Sequence, residues 1–236
     1  LGLVLHDAEL LARVKEDYDF VLSNPSEFHN TWQGDVVEGW VRSIYSRGML
    51  AYLDGTGDTR ILEFLTRAYS NYSASDSACM AIPRGCNESY QGSRSMTQME
   101  ALFEAHSFGG PASLRDLGLD LMTPSANNGG YDYLQTLLRN GCSHNASAVA
   151  QGDCEQHAHG VTFNEVSKLF AMAYTWSGNM SHLMASISAY KMIDTYDMQP
   201  YGVNSADEDM NGISPNVATE TCDVSDFIYS NSWMLR

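Results

Sequence analysis

The chain has 236 residues, of which 44% are hydrophobic and 18% charged, and its formal net charge at pH 7 is −16. This composition supplies enough apolar material for one large hydrophobic core and excludes an intrinsically disordered chain. The acidic balance repels phosphate groups, so no nucleic-acid partner is expected. No apolar run approaches the ~18 residues that a membrane span requires, so no membrane span is expected either.

Apolar residues recur at helical spacing along most of the chain. The first such stripe ends at Asn24-Pro25 and consists of Leu10, Leu11, Val14, Tyr18, Val21 and Leu22. A second stripe, within 35–52, is expected to be buried and consists of Val37, Trp40, Val41, Ile44, Tyr45, Gly48, Met49 and Tyr52. A third stripe lies within 166–174, in a helix that is predicted to stop at Ser177-Gly178. Further helices are predicted over 182–196 and from Thr219 onward, the last burying Val224, Phe227 and Ile228.

The connectors between these helices predict antiparallel hairpins. Thr56-Gly57-Asp58 and Ser177-Gly178-Asn179 each join two predicted helices. Alternation typical of strands is nearly absent, so the sequence predicts a mainly α fold without a second domain. Two long stretches, about 70–110 and 125–160, are predicted to be irregular surface loops on this scaffold.

Cysteines and glycosylation sequons favour an oxidising compartment. Two cysteine pairs lie in polar stretches, Cys79 with Cys86 and Cys142 with Cys154. Each pair is predicted to close a short loop by a disulfide bond. The alternative is four free thiols in a cytosolic protein. Cys222 is left over. N-x-S sequons begin at Asn71, Asn87, Asn145 and Asn179, so we expect a secreted or extracellular glycoprotein.

Glu220 and Cys222 are candidates for a metal site. In a regular helix, side chains at i and i+2 point about 200° apart, but in extended or first-turn geometry they point the same way and could chelate one ion. A carboxylate with a thiolate suits Zn²⁺, which needs two further ligands. The alternative is a helix start with Thr219 as its cap, Glu220 in the first turn and Cys222 as a small buried hydrophobic residue.

Other polar residues could bind a sugar or transfer a proton. Asp207-Glu208-Asp209 is an acidic run, in which Glu208 could be a general acid/base or belong to a solvated loop. His157 and His159 open a predicted helix and could bind a metal, contact a sugar hydroxyl or cap that helix. A fourth candidate segment, compatible with a carbohydrate face or with core packing, is Trp32-Gln33-Gly34-Asp35.

The order of four motifs resembles one family. The first motif is Trp32-Gln33-Gly34-Asp35 followed by Gly39-Trp40, and the second is His157-Ala158-His159-Gly160-Val161-Thr162 followed by the Ser177-Gly178-Asn179 turn. The third motif covers 205–215, and the fourth is Glu220-Thr221-Cys222. Together they resemble the β-L-arabinofuranosidase-like glycoside hydrolases, family 127 and the wider group once called DUF1680. The resemblance runs from about Trp32 to Arg236, without the 70–110 stretch and most of 125–156.

The resemblance implies an (α/α)6 barrel that releases terminal β-L-arabinofuranosyl or related groups with retention. Glu208 would be the acid/base, and Glu220 with Cys222 would be zinc ligands. His159 or His157 would contact the sugar, and Trp32 and Asp35 would also bind the substrate. This chemistry is consistent, because a zinc-bound thiolate is deprotonated at neutral pH and a carboxylic acid can protonate the leaving oxygen.

The chain departs from the family's motifs at some positions, and these departures suggest an alternative function. Asp35 stands where the family often has Glu, and no cysteine of this chain matches the family's nucleophile, which would lie beyond Arg236. We therefore expect residues 1–236 to form an incomplete catalytic domain, which is part of an (α/α)6 barrel with long disulfide-bearing loops. Zinc is expected to bind only in the complete protein. The alternative is a catalytically inactive carbohydrate-binding or structural extracellular glycoprotein on the same barrel.

Overall fold

A computed structural model describes residues 2–25, 38–70, 96–122, 134, 159–208, 210 and 212–235. Its helices are α1 (Gly2–Leu5), α2 (Ala8–Ser23), α3 (Glu38–Thr56), α4 (Arg60–Ser70), α5 (Gln98–Ser107), α6 (Ala112–Asp120), α7 (Gly160–Ser177), α8 (Met180–Tyr196) and α9 (Thr221–Met234). Outside them, the described residues carry only isolated β-bridges. The mainly α prediction is confirmed.

Three helical hairpins and one further helix make up most of the described fold. Short connectors join α3 to α4, α5 to α6 and α7 to α8. Helices α3, α5, α7 and α9 pack side by side in that order. The starts of α3 and α5 are adjacent, because Ser43 near the start of α3 donates to the Thr97 carbonyl at the start of α5 (2.8 Å). The starts of α7 and α9 are likewise adjacent, because the Asn164 amide near the start of α7 donates to Asp223 near the start of α9 (2.8 Å).

Local capping explains where several helices begin and end. The Asp7 carboxylate caps α2 by accepting from the backbone N–H groups of Glu9 and Leu10, both at 3.0 Å. Helix α7 ends at Gly178, which adopts φ 64°, a left-handed conformation that favours glycine. Asn179 then caps α8 by accepting from Ser181 N (3.0 Å). The predicted α7–α8 connector is confirmed.

The hydrophobic core lies among α3, α4, α5, α7 and α8. Its fully buried members include Met49, Leu65, Phe103, Phe170 and Ala189. Helix α2 covers this core from one side through half-buried residues. The Tyr18 ring meets the rings of Tyr45 and Tyr52 at centroid distances of 5.6 and 5.3 Å. None of the described helices combines the length and hydropathy that a bilayer crossing requires.

Two predicted buried faces are wrong in part. Ile44 in α3 is 48% exposed, whereas Ser43 and Ser46 are fully buried. Ile228 in α9 is 62% exposed, whereas Asp223 and Ser230 are fully buried. The physical reason is the same in both helices: their inner faces contact buried polar groups of α5 and α7, and this pairing outweighs the apolar stripe.

The predicted irregular stretch over 70–110 is also wrong in its last part, since α5 lies within it. Helix α5 is buried along most of its length, including the polar residues Gln98 and Glu100. A helix with polar groups on its buried side has no clear apolar stripe, so its sequence lacks the pattern that reveals helices. Closure into a barrel stays a prediction, and Cys79, Cys86, Cys142 and Cys154 lie outside the described residues.

Candidate functional site

The candidate site lies at the N-terminal ends of α7 and α9, where the connection between α8 and α9 crosses them. A parallel bridge pairs Ala206 with Thr219. Its hydrogen bonds run from Ala206 N to the Ala218 carbonyl and from Glu220 N to the Ala206 carbonyl, both at 3.1 Å. The bridge therefore places the segment that leads to Glu208 beside the segment that leads to Cys222.

His159 and Glu208 contact each other at the start of α7. The His159 Nε2 atom lies 3.2 Å from Glu208 Oε2, and the Glu208 carbonyl accepts from Gly160 N at 2.9 Å. His159 also caps α7, because its Nδ1 accepts from the Thr162 backbone N–H (3.2 Å). An accepting Nδ1 leaves the proton of a neutral imidazole on Nε2, which then donates to the Glu208 carboxylate.

The backbone of Glu208 adopts an unusual conformation. Its φ of 64° lies in the left-handed region, which a residue with a Cβ seldom occupies. The side chain of Glu208 is 73% exposed, whereas that of His159 is 10% exposed. Glu208 thus combines a strained backbone with an exposed carboxylate that contacts a buried histidine, and functional sites commonly retain such strain.

Gly160 is required by the close approach of three segments. A Cβ at this position would lie 2.3 Å from the Cβ of Ala206 and 2.9 Å from Oδ1 of Asp223. Both distances are shorter than a carbon atom allows. The glycine therefore lets the start of α7 pack directly on the connection that carries Glu208.

A buried polar triad anchors α9 to α7 beneath these residues. The Asn164 amide donates to Oδ1 of Asp223 (2.8 Å) and of Asn204 (3.1 Å), and the Asn204 amide also donates to Asp223 Oδ1 (3.2 Å). Burial, with the charges of Glu220 and Asp197, raises the pKa of Asp223 to about 7, although the Asn204 hydrogen bond opposes this. The triad fixes the position of the first turn of α9.

Glu220 and Cys222 meet at that first turn. Glu220 is the N-cap residue, with an extended backbone (φ −71°, ψ 149°), and its Oε2 accepts from the Cys222 thiol at 3.2 Å. The alternative of Thr219 as cap is wrong, because the Thr219 hydroxyl donates to the Asn204 carbonyl (3.1 Å). Cys222 is exposed, so it is not the small buried hydrophobic residue of that alternative. Slight burial and the Glu220 carboxylate raise the pKa of the Cys222 thiol.

The donor set of this pair is chemically suited to zinc but is only half a site. A carboxylate and a thiol are ligand types that Zn²⁺ accepts, and a structural zinc site has four ligands. Within the part of the chain that the structure describes, no third His, Cys, Asp or Glu joins Glu220 and Cys222. The two residues can therefore supply two ligands.

Several predicted site residues lie outside the described residues. They are His157, Trp32, Asp35, the cysteines named above, and the sequon residues Asn71, Asn87 and Asn145. The remaining sequon residue, Asn179, is exposed and caps α8 through its Oδ1 atom, and this contact does not occupy the amide nitrogen to which a glycan is attached. Glycosylation at Asn179 stays a prediction.

Sequence reasoning missed the triad of Asn164, Asn204 and Asp223. The available signal was weak: Asn164 interrupts an apolar helix, and Asn204 and Asp223 flank the acidic and Glu-x-Cys motifs. Hydrogen bonds between such distant residues cannot be inferred from spacing alone.

In comparisons with protein-family models, curated proteins and solved structures, nothing matches this chain.

Proposed function

We propose that this protein is a secreted retaining glycoside hydrolase of the β-L-arabinofuranosidase type, acting on terminal arabinofuranosyl or related sugars. The observation that carries the proposal is the contact between His159 and the exposed carboxylate of Glu208, at a position where the backbone is strained. Its supporting context is the neighbouring pair of Glu220 and Cys222. An (α/α)6 barrel, of which α3 to α9 would be part, belongs to the same proposal.

In the proposed reaction Glu208 is the general acid/base. Its carboxyl group protonates the leaving oxygen in the first displacement and takes a proton from water in the second. The Nε2–H of His159 donates to this carboxylate and holds it in one orientation, so His159 contacts the reacting residue as well as the sugar. We propose His157, Trp32 and Asp35 as further sugar contacts.

The metal part of the proposal rests on Glu220 and Cys222. When bound, zinc would supply positive charge that keeps thiol ligands deprotonated. Glu220 and Cys222 would hold it from the first turn of α9, which the triad of Asn164, Asn204 and Asp223 fixes in place. The nucleophilic cysteine of this reaction type is not assigned to any cysteine of this chain.

The test is hydrolysis of a chromogenic β-L-arabinofuranoside by the whole protein and by two variants. We expect Glu208→Gln to lower kcat by about 10²–10⁴-fold, which is the usual contribution of general acid/base catalysis. The matched control is Asp207→Asn, an exposed neighbouring acid, which should keep the wild-type rate. Circular dichroism of both variants checks that the fold is unchanged.

Two outcomes would contradict the proposal. Normal hydrolysis by Glu208→Gln would remove the acid/base assignment. Binding of arabinose-containing glycans without hydrolysis by the wild-type protein would instead favour a carbohydrate-binding extracellular glycoprotein.

A further inference from the structure

A second cluster of charged side chains lies next to the buried triad, further along α7 and α9. It joins Arg47 of α3, Glu100 of α5, Glu165 and Lys168 of α7, and Asp226 of α9. Lys168, Glu100 and Glu165 have no exposed side-chain surface, and Arg47 is 15% exposed. Four helices therefore meet at one buried ionic cluster.

The ion pairs of this cluster are close. Arg47 Nη1 lies 2.8 Å from Glu165 Oε1 and 3.5 Å from Glu100 Oε2. Lys168 Nζ lies 2.9 Å from Glu100 Oε2 and 2.7 Å from Glu165 Oε2. Two cations thus face two carboxylates, and their charges cancel without any contribution from Asp226.

Asp226 is the third carboxyl group. It lies three residues after Asp223 and four before Ser230, two α9 residues that contact α7, so it shares the face of α9 that packs against α7 beside Glu165. A hydrogen bond between two carboxyl groups requires that one of them carries a proton, because an ionised carboxylate can only accept. With that proton the cluster is neutral. Without it, one negative charge stays in a largely buried site, where an uncompensated charge is costly.

The other groups that face the cluster do not replace the proton. Tyr229 of α9 donates to Glu100, and burial with the Glu100 charge keeps its pKa above the ordinary value, so it stays neutral. Burial likewise raises the pKa of Tyr190 of α8, so this group also stays neutral. Ser230 lies 3.5 Å from Lys168 Nζ and is uncharged.

We propose that this cluster is a buried proton-binding site that makes the packing of α3, α5, α7 and α9 sensitive to pH. One proton, shared between Asp226 and Glu165, keeps the cluster neutral and the four helices closely packed; its loss leaves repelling carboxylates between α7 and α9. The inference does not depend on the proposed hydrolase activity, since none of these residues belongs to the candidate site.

The direction of the pH effect follows from the two states of the chain. Burial, together with the hydrogen bond and charge of Glu165, raises the pKa of Asp226 from its ordinary 3.8 to about 7, while Arg47 and Lys168 oppose this. The folded protein therefore holds a proton that the unfolded chain releases between these two values. Stability should fall as the pH rises from about 4 to 7 and should not fall further from this group above pH 7.

The experiment compares the wild-type protein with Asp226→Asn by urea unfolding between pH 5 and pH 8. The asparagine amide can still donate to Glu165 but cannot titrate. Over this range the unfolding constant of the wild type should rise at least about tenfold more than that of Asp226→Asn, because only the wild type loses the shared proton. Asp223, whose pKa is also raised, is present in both proteins and cancels in this difference.

The control and a second measurement keep the inference testable. Asp116→Asn, which alters an exposed aspartate paired with Arg115, should keep the wild-type pH dependence. If Asp226→Asn shows that same dependence, the proposal is overturned. Should Asp226→Asn fail to fold, the carboxyl carbon of Asp226 in the wild type is titrated by NMR: a pKa near 7 supports the site, and a pKa near 4 overturns it.

Discussion

At the scale of single residues, the thiol of Cys222 is held by its neighbour. The Sγ atom donates to Glu220 Oε2 at 3.2 Å, and this carboxylate helps to raise the pKa of the thiol. The folded protein therefore presents an exposed cysteine in its protonated, less nucleophilic form. A metal that binds Cys222 must displace this proton, so binding should strengthen as the pH rises.

The first prediction at this scale concerns the reactivity of Cys222 toward iodoacetamide at pH 8. Glu220→Gln removes the negative charge beside the thiol, so its pKa should fall and alkylation should become several-fold faster. Mass spectrometry of the peptide that contains Cys222 gives the rate separately from the other cysteines. Glu208→Gln, on the adjacent segment, is the control and should leave the rate unchanged. Equal rates in Glu220→Gln and the wild type would show that the carboxylate does not protect the thiol.

Glu208 illustrates what residue type and spacing can and cannot predict. Its place in an acidic run indicated a candidate acid/base. Its left-handed backbone and its contact with His159 depend on a residue 49 positions earlier in the numbering, at the start of another helix. No local pattern contains that information, because the contact exists only once the α8–α9 connection has packed on α7.

At the scale of elements, the start of α7 is the point where the candidate site is assembled. Gly160 lets this turn approach Ala206 and Asp223 more closely than any side chain would allow. His159 caps the same turn and faces Glu208. The local structure of this helix end therefore determines both the capping of α7 and the position of the candidate acid/base.

Gly160→Ala should destabilise the protein by roughly 1–3 kcal/mol, because the added methyl group overpacks a site with no free space. Urea unfolding measures this cost. The matched control is Gly48→Ala within α3, where the new methyl group would lie 2.8 Å from the hydroxyl oxygen of Tyr18. Only the end of that side chain has to shift, and alanine favours the helix. The control should be close to neutral or stabilising. Equal stability of Gly160→Ala and the wild type would contradict the close packing of this turn.

Helix existence followed from the sequence better than helix faces did. The starts and ends of α2, α7 and α8 were predicted to within a few residues, because caps and apolar spacing are local signals. The faces of α3 and α9 were predicted incorrectly at Ile44 and Ile228, since their inner sides hold polar groups instead. Helix α5 was missed for the same reason.

At the scale of the whole molecule, the buried ionic cluster connects helices that are far apart in sequence. Lys168 bridges Glu100 and Glu165 and also lies 4.5 Å above the centre of the Tyr229 ring. Removing one partner from a buried cluster leaves an uncompensated charge, which costs more than the pair itself contributes. The cluster should thus have a large effect on stability when a single member is removed.

Lys168→Met should destabilise the protein by about 3–5 kcal/mol, since Glu100 and Glu165 would then share only Arg47. Urea unfolding at pH 7 measures the change. Lys15→Met, which breaks an exposed ion pair with Asp19, is the control and should leave the unfolding midpoint near the wild-type value. A Lys168→Met variant as stable as the control would show that the cluster does not hold the four helices together.

The sequence by itself determined the mainly α class, the hairpin connectors and the residue types of the candidate site, because helical period, capping and ligand chemistry are properties of short segments. Only the tertiary structure decided that His159 faces Glu208, that Asn164 and Asn204 anchor Asp223, and that four charged side chains of α3, α5 and α7 meet inside the bundle. These contacts join residues separated by tens of positions. Their energies depend on burial and on the partner that packing supplies, and neither is encoded in local spacing.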